Sequence, residues 1–349
     1  MTAVAESPSN ETPAPASAPV GPQPIENARV MVTGASGFVG RHVVRELIAR
    51  GHHPVCLVRD RTVFAEQMVG LPADRWESVG GSLSDRESMS AAIKDAGAVI
   101  HLVGIIQERK LKGQTFERVH VEGTKRVLDA AKSAGVRRFI HMSALGSRLN
   151  APSEYHRTKW AAESAVRSSG LDYTIFRPSI IHGPDGEFMQ MMRTFVCDAM
   201  VASFGFLPVP FPVIPYFGKG ENKLQPVDVR DVATCFVGAL SRPETIGKSY
   251  DLGGPEALTW KQLYQTCKDL IPCAKKWKPI VGLPVWKAKL MAKTIMKLPV
   301  LPMALRFNEG QVAMSQEDSV CDTRPAEAAF GISMRDFRTE LKQYAALIS

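Results

Sequence analysis

Tyr155 and Lys159 are the residues whose types and spacing suggest chemistry most directly. They stand four positions apart in Tyr155-His-Arg-Thr-Lys159, so on a helix their side chains share one face. A phenol has a pKa of about 10, and a nearby ammonium group lowers it toward the range of a useful acid–base. Because such a pair also occurs by chance, its meaning depends on the elements that position it.

A glycine-rich turn follows the first apolar run of the chain. Residues 28–33 predict a buried parallel strand, and a helical pattern with an apolar inner face runs on to Arg50. In the intervening Gly34-Ala-Ser-Gly37-Phe-Val-Gly40, the first glycine suits a tight turn, the second the approach of a pyrophosphate and the third close helix–strand packing. Bare N–H groups at the helix start then bind phosphates, so the context predicts a dinucleotide site rather than a merely structural turn.

Arg59 follows the second predicted strand, residues 54–58, about 25 positions after Gly34. A guanidinium there suits the 2′-phosphate of NADP(H), whereas the adjacent Asp60 could accept a hydrogen bond from the ribose 2′-hydroxyl of NAD(H). The sequence therefore favours NADP(H) over NAD(H). The structural alternative is that Arg59 only caps an exposed strand end.

Together these motifs resemble the short-chain dehydrogenase/reductase superfamily in its extended and atypical forms. Similar segments continue along nearly the whole chain: Gly81-Ser-Leu83, Ala98-Val-Ile-His-Leu-Val-Gly104, Val119-His-Val-Glu-Gly-Thr124, Phe176-Arg-Pro-Ser179, His182-Gly-Pro184, Gln225-Pro-Val-Asp-Val-Arg-Asp231 and Leu252-Gly-Gly-Pro255. The resemblance implies an α/β fold, a Rossmann doubly wound parallel sheet with a smaller, discontinuous C-terminal lobe. Residues 28–182 and 224–254 would form the NAD(P)-binding domain, and residues 183–223 and 255–349 the substrate or docking lobe.

The resemblance also implies roles for single residues. Ser143 would hydrogen-bond a reacting carbonyl, Tyr155 would be the acid–base, and Lys159 would hold the nicotinamide ribose and lower the tyrosine pKa. The implied cofactor contacts are Gly34, Ser36, Gly37, Phe38, Val39, Gly40, Arg59, Leu83, Leu102, Val103, Gly104, Tyr155, Lys159, Pro178 and Ile180. Two residues depart from the pattern: Ser82 replaces an acid that contacts the adenine, and His120 replaces an asparagine of the proton relay.

The motif Tyr155-x-Arg157-x-Lys159-x-x-x-Glu163 most resembles that of one subgroup, which contains the NADPH-binding accessory subunit of respiratory complex I and its bacterial relatives. Two functions follow. The favoured one is an oxidoreductase, or an epimerase/dehydratase, that acts by hydride transfer on a hydrophobic carbonyl or alcohol substrate. The alternative is a non-catalytic, NADPH-holding accessory or assembly subunit docked on a membrane respiratory complex. The accessory subunit of that subgroup retains a similar Tyr–Lys pair while serving as a structural component, so the pair indicates cofactor geometry more than turnover.

Residues 199–218 carry no charge and are rich in aromatic and apolar side chains. The segment is long enough to span a bilayer, but four prolines would break the helix that spanning requires: Pro208, Pro210, Pro212 and Pro215. Two interpretations remain. The segment is the wall of an apolar pocket, which fits a hydrophobic substrate, or a docking patch for lipid or a partner.

The net charge of +8 is concentrated between residues 261 and 306, which hold ten basic residues and a single acid, Asp269. On a helical wheel for residues 285–298, one side carries Ala288, Met291, Ala292, Ile295 and Leu298, and the other carries Lys289, Lys293 and Lys297. Such a helix either packs its apolar side on its own core or contacts an anionic membrane or an acidic protein. No recognised nucleic-acid module accompanies the lysines, so we expect no nucleic-acid partner.

Residues 1–27 are rich in proline and alanine and lack an apolar period, which predicts a disordered tail without the features of a signal peptide. The six cysteines form no Cys-x-x-Cys pair, so we expect free thiols in a reducing compartment and no metal site: Cys56, Cys197, Cys235, Cys267, Cys273 and Cys321. The sequence thus predicts a cytoplasmic protein, peripheral on the inner face of the membrane if the lysines dock there.

Overall fold

The computed structural model of the chain describes residues 23–198, 200–204, 207–210, 212–294, 296 and 307–348, with side chains described outside 199–211. The strands are β1 (Arg29–Thr33), β2 (His53–Val58), β3 (Glu77–Gly80), β4 (Ala98–His101), β5 (Arg138–Met142), β6 (Asp172–Pro178), β7 (Ile181–His182), β8 (Met200–Phe204), β9 (Leu207–Pro210), β10 (Ile214–Phe217), β11 (Lys223–Leu224), β12 (Val227–Asp228), β13 (Lys248–Leu252), β14 (Leu258–Thr259) and β15 (Ile280–Leu283). The α-helices are α1 (Phe38–Ala49), α2 (Arg61–Gln67), α3 (Arg86–Ile93), α4 (Gly123–Ser133), α5 (Glu154–Arg167), α6 (Glu187–Cys197), α7 (Val229–Gly238), α8 (Trp260–Leu270), α9 (Val285–Lys293), α10 (Glu309–Met314), α11 (Arg324–Phe330) and α12 (Phe337–Tyr344).

A seven-stranded parallel sheet forms the centre of the fold, in the order β13-β6-β5-β4-β1-β2-β3. Strand β1 pairs with β2 on one side and with β4 on the other, so the strand order reverses at β1. In sheets of this kind the carboxyl ends of the strands on either side of the reversal border a ligand crevice. The sheet confirms the predicted Rossmann architecture.

Both faces of the sheet are covered by helices, because alternate residues of each strand point to opposite faces. On one face, Met31 and Phe139 belong to the apolar core that α3, α4 and α5 complete. On the other, Val30 and Val32 pack with α1 and α7. The central strands β1, β2 and β4 have no face in contact with water, which explains why their sequences are almost continuously apolar.

A second apolar core gathers α6, α8, α12 and strand β10, through residues such as Met192, Leu263 and Leu341. It takes its residues from both parts of the chain that the sequence assigns to the smaller lobe. Within the same assignment, α11 lies on the sheet core instead: the ring centroid of Phe330 is 5.4 Å from that of Phe176. The late segment therefore contributes to both cores.

The N-terminal stretch reaches the sheet core before the first strand begins. The backbone N–H of Ile25 donates to the carbonyl of Leu240 at 3.0 Å, and its side chain packs on the core. Residues 1–22 of the predicted tail lie outside the described residues.

Two of the cysteines predicted to be free are paired, so that expectation is wrong for Cys197 and Cys273. They are 76 residues apart in the chain, but the end of α6 meets the turn after α8 and brings their Cα atoms to 5.2 Å, a usual disulfide separation. Three further cysteines are free and buried and one is free and half-buried: Cys56, Cys235, Cys267 and Cys321. No scan of spacing could detect the pair, since only tertiary packing juxtaposes it.

The described part of the uncharged segment consists of strands and short connections and contains no helix, in agreement with the prediction that its prolines exclude a spanning helix. Strand β8 pairs antiparallel with β9, and β10 pairs parallel with β15. Within the described ranges, no helix combines the length and the apolarity that crossing a bilayer requires.

The predicted amphipathic helix is α9, and it ends at Lys293. Ala288 and Ala292 are buried as the wheel predicts, whereas Lys289 and Lys293 are exposed. Ile295, Lys297 and Leu298 lie outside the described residues. The wheel did not anticipate that the outward side also carries Trp286 and Leu290, both exposed.

Candidate functional site

The turn between β1 and α1 depends on its glycines in two different ways. Gly34 has a φ of +80°, and a Cβ there would lie 3.1 Å from the backbone nitrogen of Val103; at Gly40 it would lie 2.1 Å from the Gly34 carbonyl oxygen. Gly37 has an ordinary φ of −75° and is exposed, and a Cβ there would meet just that same oxygen, at 3.2 Å. Gly34 and Gly40 therefore serve internal packing, while Gly37 leaves room on the outside.

The start of α1 has the properties of an anion site. Its N-cap, Gly37, has no side chain that could accept a hydrogen bond, so the N–H groups of Phe38, Val39 and Gly40 meet no side-chain cap. No acid stands in the first turn. Amide hydrogens and the positive end of the helix dipole then point at the same outside space, which suits a phosphate group.

Arg41 adds a cation to this turn, and motif reading missed it although it directly follows Gly40. Its guanidinium donates to the carbonyl of Ser36 at 3.2 Å and to the carboxylate of Asp185 at 2.5 Å. Burial raises the pKa of Asp185, but hydrogen bonds from His42 and Arg41 outweigh it and hold that pKa well below its usual range. The ion pair ties the glycine turn to the segment that leads into α6.

At the end of β2, the two candidates for the adenosine ribose have different surroundings. Arg59 is exposed just beyond the strand. Asp60 is the N-cap of α2, and its Oδ1 accepts from the backbone N–H of Val63 at 3.0 Å. Leu83 is half-buried and packs beside the start of α4. Its Cδ1 is so close to Gly123 that a Cβ on that glycine would lie 3.0 Å from it.

Residues 102–104 bring the end of β4 against the lysine of α5. Leu102 continues the β1 pairing through its N–H, which donates to Thr33 O at 3.1 Å. Gly104 is exposed, and a Cβ there would lie 3.1 Å from the Nζ of Lys159. The absence of a side chain at Gly104 thus leaves room for the ammonium group at the carboxyl edge of the sheet.

Lys159 is 2% exposed, and its Nζ donates to the carbonyl of Met142 at 2.9 Å. Burial lowers the pKa of this lysine to about 8, while the nearby carboxylate of Glu163 acts in the opposite direction. Glu163 is fully buried and accepts hydrogen bonds from Arg177, at 2.8 Å to Nε, and from Arg167. The lysine is therefore close to losing its proton just above neutral pH.

Tyr155 precedes Lys159 by one helical turn, as predicted. Its ring lies edge-on to those of His120 and Phe116, with centroids 5.5 Å and 6.0 Å away. Burial raises the pKa of the phenol to about 12, so the lowered pKa that the resemblance implies is not found in this structure. The physical reason is that the ammonium of Lys159 is bonded to Met142 O, and the phenol loses hydration without gaining a cation.

Ser143 lies just beyond β5 and is buried, with its Oγ 3.2 Å from the Oγ of Ser147. Its N–H donates to the carbonyl of Phe176, which fixes it beside β6. Pro178 and Ile180 lie at the same edge, since their carbonyls accept from Leu145 N and Val227 N, each at 2.9 Å. The structure thus brings the predicted residues of β1, β4, β5, α5 and β6 to one edge of the sheet.

His120 has a role that its departure from the family pattern did not reveal. It lies in a π-helical turn, Glu117–Glu122, with Nδ1 2.9 Å from Thr158 Oγ1 and Nε2 3.1 Å from the backbone nitrogen of Ile105. Burial, reinforced by the charge of Lys159, lowers the pKa of His120 to about 2, so the ring is neutral. With a proton on Nδ1, that atom donates to Thr158 Oγ1 while Nε2 accepts from the backbone N–H of Ile105, so both ring nitrogens have a hydrogen-bond partner. The ring therefore joins the loop after β4 to the helix that carries Tyr155.

Two relatives resemble this chain over most of its length. The NADH dehydrogenase [ubiquinone] 1 alpha subcomplex subunit 9 of Arabidopsis thaliana mitochondria is 32% identical over 301 residues, which cover 83% of this chain and 70% of that protein. The ceramide reductase of Caulobacter vibrioides is 38% identical over 217 residues, which cover 61% of each. The match to the corresponding mouse mitochondrial subunit spans 56% of that protein.

Among solved structures, the Citrobacter sp. triphenylmethane reductase complexed with NADP(H) superposes with a TM-score of 0.65 at 17% identity, covering 90% of this chain and 99% of that one. At this identity the likeness shows the fold. A sequence model of the NAD dependent epimerase/dehydratase family matches residues 30–253, nearly the whole stretch from β1 to the end of β13. The chain therefore belongs to the NAD dependent epimerase/dehydratase family, whose cofactor is a nicotinamide dinucleotide, NAD(P).

Proposed function

We propose that the chain is an NADP(H)-dependent oxidoreductase that reduces the carbonyl group of a hydrophobic substrate, with Tyr155, Lys159 and Ser143 at the reacting centre. The observation that carries the proposal is the convergence of these side chains with Gly104 at the sheet edge that the glycine turn also borders. Transient hydride transfer in an epimerase or dehydratase uses the same groups and is the second reaction that fits.

The residues fit the cofactor. The uncapped start of α1 suits the pyrophosphate, and the exposed Gly37 leaves it room. The choice of NADP(H) over NAD(H) is supported by Arg59, since a guanidinium suits a 2′-phosphate, and by Asp60, whose Oδ1 is already occupied by the α2 cap. When bound, NADPH supplies a hydride to the carbonyl carbon.

The chain's own residues manage the proton. As the carbonyl carbon is reduced, its oxygen takes the proton of the Tyr155 hydroxyl, and Ser143 donates a hydrogen bond to the same oxygen. A raised pKa keeps Tyr155 protonated at neutral pH, which is the form that carbonyl reduction needs. To stabilise the phenolate until solvent returns the proton, the ammonium of Lys159 turns from the carbonyl of Met142 toward Tyr155, one helical turn away.

A lipid-like carbonyl compound is the substrate class that we favour. The chain carries an uncharged segment at residues 199–218 within the smaller lobe. The relative from Caulobacter is named for the reduction of ceramide, which is a lipid. An apolar substrate is bound through burial of its hydrocarbon surface, so an uncharged wall suits it better than a sugar nucleotide.

The second candidate function is a cofactor-holding subunit of a membrane respiratory complex. It is favoured by the likeness to the Arabidopsis subunit and by the exposed Lys289 and Lys293. In that case the protein binds NADPH without turning it over and is found at the cytoplasmic face of the membrane.

Two measurements separate the candidates. Titration with NADPH, NADP, NADH and NAD establishes which nucleotide binds, and NADPH oxidation is then followed with long-chain ketones and quinones. For the enzyme, Tyr155→Phe abolishes turnover while NADPH affinity stays within about twofold, because the phenol oxygen is needed only for the proton. Tyr173→Phe, on β6, is the matched control and keeps turnover. Tight NADPH binding without turnover on any carbonyl substrate would favour the cofactor-holding subunit.

A further inference from the structure

Helix α9 has an outward side that is apolar and uncovered in the described structure. Trp286 and Leu290 are 65% and 55% exposed, and their i,i+4 spacing makes them neighbours on one face. The opposite face buries Ala288 and Ala292. The helix therefore packs its smallest apolar residues inward and presents its largest to solvent, which is the reverse of a surface helix that only covers its own core.

Lysines border this apolar pair on both sides. At 100° per residue, Lys287 falls on one side of the Trp286–Leu290 line and Lys289 and Lys293 on the other, and all three are exposed. The Nζ of Lys287 lies 5.3 Å from the ring centroid of Trp286. The helix contains no acid, and the Nζ of Lys293 lies 3.6 Å from the carboxylate of Glu309 on α10. The face is thus an indole and a leucine between positive charges.

We infer that the α9 face docks on an anionic phospholipid bilayer. Tryptophan concentrates at membrane interfaces, leucine inserts at the boundary with the acyl chains, and lysines are attracted to anionic headgroups. An acidic protein is the weaker fit, since a stable protein interface buries about 1,000 Å² or more, well above what two side chains on a nine-residue helix supply. The inference goes beyond the proposed function, because it concerns where the protein lies and not what it reduces.

The docking face is connected to the candidate site through α10. This helix packs against α9, and the Oε1 of Gln311 on α10 accepts from Nε2 of Gln107 at 3.2 Å. Just after α10, Glu317 pairs with Arg148. Gln107 follows β4 and Arg148 follows β5, so both belong to loops at the carboxyl edge of the sheet. A bilayer at α9 would therefore lie near these two loops and bring a lipid substrate close to the site, a consequence that rests on the proposed function.

The test is co-sedimentation of the full chain with vesicles of phosphatidylcholine, alone or mixed with phosphatidylglycerol. We expect binding to the anionic vesicles that weakens with added salt. The double variant Trp286→Ala/Leu290→Ala is expected to lower the apparent affinity at least about tenfold, because it removes the inserted surface. Leu347→Ala is the matched control, a 76% exposed leucine of the same lobe, and is expected to bind like the unaltered protein.

A second variant tests the charges. Lys287→Glu/Lys289→Glu/Lys293→Glu is expected to abolish the preference for anionic vesicles. Absence of binding to anionic vesicles, equal binding of the Trp286→Ala/Leu290→Ala variant, or capture by an acidic protein without vesicle binding would each overturn the inference. NADPH affinity, measured on the same variants without lipid, is expected to be unchanged, so failure of docking is distinguishable from failure of the proposed function.

Discussion

The carboxyl edge of the sheet and the outward face of α9 present the side chains of the two proposals in opposite ways. At the sheet edge, Lys159 of α5, His120 of the π-helical turn and Ser143 after β5 are buried and are held by backbone carbonyls, amides or hydroxyls. On α9, Trp286 and Leu290 stand exposed on a short helix. Chemistry on a small molecule needs groups held in one geometry, whereas attachment to a surface needs groups that can reach outward.

This difference explains why more of the sheet edge than of α9 could be predicted from the sequence. The sheet edge requires glycine at positions where any side chain would collide with backbone, as at Gly34 and Gly40. Such requirements leave a spacing that can be recognised. Helix α9 has no comparable backbone requirement, and the second apolar core depends on contacts such as Cys197–Cys273, whose partners are far apart in sequence.

The largest expected effect separates the two kinds of glycine in the turn. Gly40→Ala places a Cβ 2.1 Å from the Gly34 carbonyl oxygen, so we expect a loss of at least about 4 kcal/mol in the free energy of unfolding, or failure to fold. Gly37→Ala is the matched variant, and it is expected to weaken NADPH binding with a change in stability below about 1 kcal/mol. Urea denaturation and NADPH titration measure both. Equal stability of the two variants would contradict the division of roles.

The next effect concerns the second apolar core, to which Cys197 belongs and against which Cys273 packs. Breaking the Cys197–Cys273 pair by Cys197→Ser/Cys273→Ser is expected to lower the free energy of unfolding by about 2–4 kcal/mol, because the link closes a loop of 76 residues. Cys321→Ser, at a free half-buried thiol, is the control and is expected to have little effect. Thiol titration of the denatured, unreduced protein should find four reactive thiols. Six would show that the pair is reduced, as the sequence predicts.

A smaller effect tests the hydrogen bonds by which His120 connects the loop after β4 to α5. His120→Ala removes the acceptor of Ile105 N and the partner of Thr158, so we expect a loss of about tenfold or more in kcat/KM, of which His120→Asn recovers a part. Since the pKa of His120 is about 2, the pH profile should be the same in all three proteins. A pH profile that changed with either substitution would show that the ring transfers protons.

The smallest effect is a shift in pH dependence. Because the pKa of Lys159 is about 8, its ammonium is lost as the pH rises through 8, and we expect NADPH affinity to fall with it. Glu163→Gln removes the carboxylate that raises this pKa, so the loss is expected at lower pH, whereas Glu154→Gln, on the exposed start of the same helix, leaves it unchanged. The free energy of unfolding changes with pH in the opposite direction from NADPH affinity, because it rises as the pH rises. The folded lysine releases its proton before the unfolded one, so its contribution to stability grows between about pH 8 and 10.5.

Much of the candidate site could be predicted because it follows from local order. The glycine spacing, the strand ends and the helical spacing of Tyr155 and Lys159 are all set within short stretches. The pKa of Tyr155 was not predictable, since it depends on whether the ammonium of Lys159 faces the phenol or the carbonyl of Met142. The position of Arg41 beside Gly40 could be seen in the sequence, but its ion pair could not be predicted, because Asp185 lies 144 residues away.

By itself, the sequence determined the parallel sheet, the position of the glycine turn and the absence of a spanning helix in the described part of residues 199–218. Each of these rests on sterics or periodicity within one or two elements. Only the tertiary structure decided that two cysteines pair, that His120 joins two elements, and that α9 turns its tryptophan outward. Those outcomes depend on which surfaces meet, and residues far apart in the chain contribute to each meeting.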